Sequence, residues 1–148
     1  MRSFPVTRDI DVFTARSGAR ALALEIGFSR IAGQEIAIVV SELCTNILKY
    51  AIRGTISVER VDDPDRGPGL RIVASDVGPE IADLALARRD RHDGRGPVDP
   101  GTLPGRGGFG GGLGAVDRLS DSCEWSVTDS GKQAVVLRFV RSHGRRRG

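Results

Sequence analysis

The chain has 148 residues, 39% of them hydrophobic and 28% charged, a length and balance that suit one soluble globular domain able to bury its own core. The formal charge of +3 is modest, and with 5% aromatic residues there is little material for base stacking, so nucleic acid is not expected as a partner. Twenty glycines are the unusual feature; they concentrate between Gly94 and Gly114, which excludes a fibrous repeat and marks a local backbone requirement.

In chain order, Ser3 to Val6 reads as a short edge strand, because Pro5 cannot donate to a ladder. Asp9 or Asp11 offers an N-cap for a first helix striped by Val12, Ala15, Ala19, Leu22 and Ile26 and ending near Gly27. A second helix is expected to start around Gly33 to Glu35 and stop before Gly54, with Ala37, Val40, Cys44, Ile47 and Ala51 as its buried stripe. Glu42 and Asn46 stand one turn apart, with Lys49 close to the same line, which is expected to lie opposite that stripe. An acid, a carboxamide and an amine so placed suit a base, a Mg²⁺ ligand and a phosphate contact, and equally suit a solvated helix face.

Thr55 to Val61 and Gly69 to Ser75 alternate apolar and polar residues around a turn-rich Asp-Asp-Pro-Asp-Arg-Gly-Pro, the pattern of an antiparallel hairpin. Asp76 ends the second strand two residues before Gly78: it can accept from an exocyclic amine while the glycine admits a flat ring, or it can simply form a turn. A short helical segment carrying Ile81, Leu84 and Leu86 follows, and from Asp90 to Gly107 the chain has almost no apolar residue, as in a lid or a disordered connection. Gly108, Gly110 and Gly112 then precede a short helix over Leu113 to Leu119, an arrangement that suits phosphate or, alternatively, a flexible linker. Ser122 to Val127 and Gln133 to Val140 are the last strands, with Gly131 in their turn available for positive φ. Together these elements predict a two-layer α/β sandwich with a mixed, mostly antiparallel sheet.

Cys44 and Cys123 are the only cysteines, and neither they nor the two histidines have zinc spacing. The N-terminus lacks a signal-peptide apolar region and no apolar run approaches a membrane span, so a soluble cytoplasmic protein is expected. Residues 1–141 are expected to form a single domain with a glycine-rich lid over about 90–112, and the arginines of 142–148 a basic disordered tail.

Glu42-x-x-x-Asn46, Asp76-x-Gly78 and Gly-x-Gly-x-Gly-Leu at Gly108 to Leu113 stand in the order and approximate spacing of the N, G1 and G2 boxes of the GHKL ATPase/kinase superfamily. Within it the chain resembles the small serine/threonine switch kinases of bacterial anti-sigma and stressosome systems, over about Ile10 to Phe139. The resemblance implies the Bergerat ATP-binding fold, ATP and Mg²⁺, and a STAS-domain protein as substrate or antagonist, with a sigma factor or phosphatase as further partners. It implies Glu42 as general base, Asn46 as Mg²⁺ ligand, and Asp76 with Gly78 at the adenine. Lys49, Gly108, Gly110, Gly112 and Leu113 would serve the phosphates and the lid. Two residues depart from the family pattern: Glu80 replaces a G1 glycine, and Lys132 stands where a threonine usually follows the glycine of the last hairpin. Lys132 would then contact phosphate, or together with Glu80 weaken ATP binding and leave a sequestering module.

Overall fold

The computed structural model describes residues 1–78 and 112–141. Its elements are β1 (Arg2–Val6), α1 (Asp9–Ile26), α2 (Arg30–Tyr50), β2 (Arg53–Asp63), β3 (Gly67–Val77), α3 (Gly112–Arg118), β4 (Ser122–Val127) and β5 (Lys132–Phe139). The strands form one sheet in the order β1-β2-β3-β5-β4. All four pairings are antiparallel, so the expected antiparallel character holds and no parallel pair occurs among the described residues. Glu80, the segment around Ile81 to Leu86, Gly108, Gly110 and the tail 142–148 lie outside the described residues.

Alternation decides which face of the sheet the helices cover. Gly54, Ile56 and Val58 of β2, Leu70, Ile72 and Ala74 of β3, and Ala134 and Val136 of β5 are buried beneath α1 and α2. The same parity carries Asp76 and Lys132 onto the helix side at one end of the sheet, and Arg138 at the other. On α1 the inward residues are Ala15, Ala19 and Ala23, small enough for close approach, while Phe4 of β1 lies against Gly18.

Both helix starts differ from expectation. Asp11 is the third residue of α1, and its Oδ2 reaches back to accept from the backbone N–H groups of Thr7 and Arg8, each at 2.9 Å. Those two bonds hold the Asp11 carboxyl below its ordinary value. Helix α2 begins at Arg30, earlier than the Gly33–Glu35 start, because Ser29 Oγ accepts from Ala32 N at 3.1 Å and caps it.

The buried arc of α2 is wider than one stripe: Ile36, Val39, Val40, Leu43, Cys44 and Ile47 are all enclosed. Helix α2, 21 residues long, contains an 18-residue stretch of mean hydropathy 1.3 and is by length and composition apolar enough to cross a membrane, contrary to the sequence expectation. Its apolar residues instead supply the core, since α2 packs against α1, the sheet and α3. Burial pushes the Cys44 thiol up to about 12, so it remains a protonated hydrophobe.

Candidate functional site

The site gathers where the C-terminal half of α2 meets the ends of β3 and β5. Gly54 makes the approach possible. A Cβ there would stand 2.7 Å from Ile47 Cγ2 and from Ser75 O, so only glycine lets Ile47 settle onto the sheet. The register sets Gly54 opposite Asp76, and Ile52 N donates to Val77 O at 2.8 Å, tying the exit of α2 to the end of β3. Asn46, the residue before Ile47, is thereby brought down at the Asp76 end of the sheet.

Asn46 is 4% exposed, so it lies on the buried side of α2 and not opposite the stripe as expected. Its Oδ1 is buried and has no hydrogen-bond partner among the described residues. Such an atom costs about 1–3 kcal/mol. The loss is tolerable beside six enclosed apolar side chains on the same helix, the larger of which contribute about 1.5–3 kcal/mol each, and the unpaired oxygen is a vacant acceptor suited to a hard cation. Glu42, one turn earlier, is half-buried and has no ion-pair or hydrogen-bond partner among the described residues. Lys49 is exposed in the last turn of α2. These three residues do share a region, but at graded depth: amine outside, carboxylate at the boundary, carboxamide within.

Asp76 is the most constrained residue of the site. Its carboxylate is 5% exposed; Oδ1 accepts from Lys132 N at 2.8 Å and Oδ2 from Lys132 Nζ at 3.2 Å. Lys132 therefore meets a carboxylate, not a position for phosphate as one sequence reading allowed. The β3–β5 ladder ends with Ser75 opposite Gln133, so the next step outward sets Asp76 across from Lys132. The turn before Lys132 is built for this contact: Thr128 Oγ1 accepts from Ser130 N and Gly131 N, and Ser130 O accepts from Gly78 N at 3.0 Å.

Gly131 is required for space. A Cβ on it would collide with Asp76 O and Oδ1, and positive φ occurs among the described residues only at Gly27 and Gly67. The sequence expectation of a left-handed Gly131 is corrected accordingly. Gly54, Thr128 and the closing role of Gly131 escaped the sequence reading. The available signal for Gly54 was a glycine on the buried parity of a strand.

Leu113 is 9% exposed in the core, and α3 packs on α2. Its side chain anchors α3 in the core. Gly112 is the first residue of α3. The described residues contain no cluster of three or more His, Cys, Asp or Glu that could hold a metal.

Residues 4–139 match the histidine kinase-like ATPase domain family, and the chain belongs to that family. The class inferred from the three motifs is thus borne out, as is the α/β fold. More particularly, the chain is 36% identical over 133 residues to the serine/threonine-protein kinase RsbT of Bacillus subtilis (strain 168), a match covering 88% of this chain and 90% of that protein.

Proposed function

We propose that the protein is an ATP-dependent serine/threonine kinase that phosphorylates a STAS-domain regulatory protein in a cytoplasmic partner-switching system. The observation that supports the reading is a pair of buried polar residues, Asp76 on β3 and Asn46 on α2 beside Ile47, which packs at Gly54 opposite Asp76, in a chain whose relative RsbT is a serine/threonine-protein kinase. Asp76 accepts from the 6-amino group of adenine, and Gly78, without a side chain, leaves room for the ring. Asn46 Oδ1 would hold Mg²⁺, which when bound would neutralise charge on the phosphates. Lys49 meets phosphate from the exposed end of the helix.

Glu42 takes the proton of the acceptor hydroxyl as its oxygen attacks the γ-phosphorus. The bond from that phosphorus to the β–γ bridging oxygen breaks and ADP leaves. Little covalent work falls to the protein, because phosphoryl transfer depends mainly on positioning and charge. Gly108, Gly110 and Gly112 complete the phosphate side in this reading, by family resemblance.

One observation favours a second reading, a module that sequesters a sigma factor or its antagonist with weak or no transfer: the Lys132 amine already sits on the proposed adenine acceptor. Calorimetric titration with Mg-ATP, followed by phosphate transfer to a STAS-domain protein, separates the two. Saturable binding lost in Asp76→Asn, with transfer to a serine or threonine of the STAS protein, is the expected result. Stoichiometric capture of a partner without transfer would select the sequestering module.

A further inference from the structure

Lys132 occupies the one acceptor that the nucleotide reading assigns to adenine, yet the pair it forms with Asp76 is not saturated. An ionised carboxylate offers about four lone-pair positions; among the described residues two are used, by Lys132 N and Lys132 Nζ. An ammonium has three protons to donate. Asp76 is the one acceptor of Lys132 Nζ among the described residues, and the lysine side chain remains 30% exposed. An acceptor and a donor with unspent capacity therefore lie side by side, 3.2 Å apart, on the buried side of the sheet end.

The edge of adenine carries the complementary order: the 6-amino group donates and the neighbouring ring nitrogen N1 accepts. A 6-oxopurine reverses both, with an oxygen at position 6 and a protonated N1. We propose that Lys132 is a specificity-determining residue that donates from Nζ to purine N1 while Asp76 accepts from the 6-amino group, so that two side chains read the base. The inference rests on the nucleotide reading above and deepens it. It also gives the departure from the family pattern at this position a use: a hydrogen bond from a charged donor to the base. The architecture supports such a role, since Gly131 and the Thr128 turn fix the backbone of Lys132 against Asp76 and leave only its four-carbon stem to adjust.

The test measures ATP and 1-deaza-ATP, in which N1 is replaced by C–H, against wild type and Lys132→Met, with ITP as a third probe. Wild type is expected to bind ATP about 10-fold more tightly than 1-deaza-ATP, the contribution of one charge-assisted hydrogen bond, and to bind ITP more weakly than ATP. Lys132→Met, checked for native circular dichroism, is expected to bind ATP as weakly as wild type binds 1-deaza-ATP and to lose the discrimination between the two. Equal wild-type affinity for ATP and 1-deaza-ATP would overturn the role of Lys132 alone, and that arm needs no variant. Tighter binding of both nucleotides by Lys132→Met would also overturn it, making the lysine a plug. If folded wild type bound neither nucleotide, the nucleotide reading itself would fall, and the inference with it.

Discussion

Strand β5 carries a cation at each end of its helix-facing side, and the two are paired in opposite senses. Arg138 is the buried member of its pair: its side chain is 4% exposed, and its guanidinium reaches Glu35 of α2 at 2.8 Å and donates to Leu119 O just beyond α3 at 2.9 Å. At the other end the acid is buried and the lysine reaches it from a partly exposed position. A planar guanidinium that joins three elements is a fixture, whereas an amine on a flexible stem over a buried carboxylate can change partners. Helix α2 repeats the contrast. Glu35 and Glu42 are two turns apart on one face, the first ion-paired and the second without a partner among the described residues. Charge is spent on structure at one end of the interface and left available at the other.

The sharpest way to separate the two ends is to remove each acid of α2 in turn. Glu42→Gln is expected to keep the fold and ATP affinity while phosphotransfer falls by roughly 10²- to 10⁴-fold, as for loss of a general base; retained transfer would show that Glu42 has another role. Glu35→Leu strands a buried guanidinium and is expected to cost about 3–5 kcal/mol, read as a lower denaturation midpoint, with ATP affinity per folded molecule unchanged.

The two hairpin glycines extend the contrast at smaller scale. Gly131→Ala places a methyl against Asp76 and is expected to cost about 1–3 kcal/mol by overpacking, together with a loss of nucleotide binding in the same titration. Gly67→Ala meets only the Arg141 side chain, beyond 3.5 Å, and is limited by its φ of +83°. Its expected cost is about 1–2 kcal/mol, with no effect on binding.

The smallest effect concerns Asp11. Because its carboxyl is held below the ordinary 3.8, it contributes stability above that pH and loses it as acid protonates the folded form. Asp11→Asn should therefore flatten the acid limb of a stability profile below about pH 4 and leave the neutral limb parallel to wild type.

Much of this architecture was legible in local pattern. The β2–β3 hairpin could be read from alternation of Ile56 and Val58 with Leu70, Ile72 and Ala74, and that alternation continues into Asp76, which tells that the acid faces inward. What failed was the width of the buried arc on α2. A helix covered by sheet on one side and by other helices on another buries more than one line of residues, so Leu43 and Asn46 lie inside with Cys44 and Ile47. Turn rules assign torsion to Gly131, but its real constraint comes from Asp76, 55 positions away in the chain. The Lys132 contact was hidden for the same reason, since it exists only once β5 is laid beside β3.

The sheet order has a kinetic consequence. Strands β2 and β3 are joined by a tight turn, in which Asp63 Oδ1 takes the N–H groups of Asp65 and Arg66, and they pair in register from Arg53 opposite Val77 to Asp63 opposite Gly67. Strand β5 joins them only after more than fifty further residues, so its loop closes at a higher entropic cost. In a pulsed hydrogen-exchange refolding experiment the amides shared by β2 and β3 should gain protection first, and the Lys132 amide, bonded to Asp76 Oδ1, among the last. Asp76 would then spend the early part of each folding event on a finished hairpin with its carboxylate still in water, and its enclosure by Lys132 would report that the candidate site has been assembled.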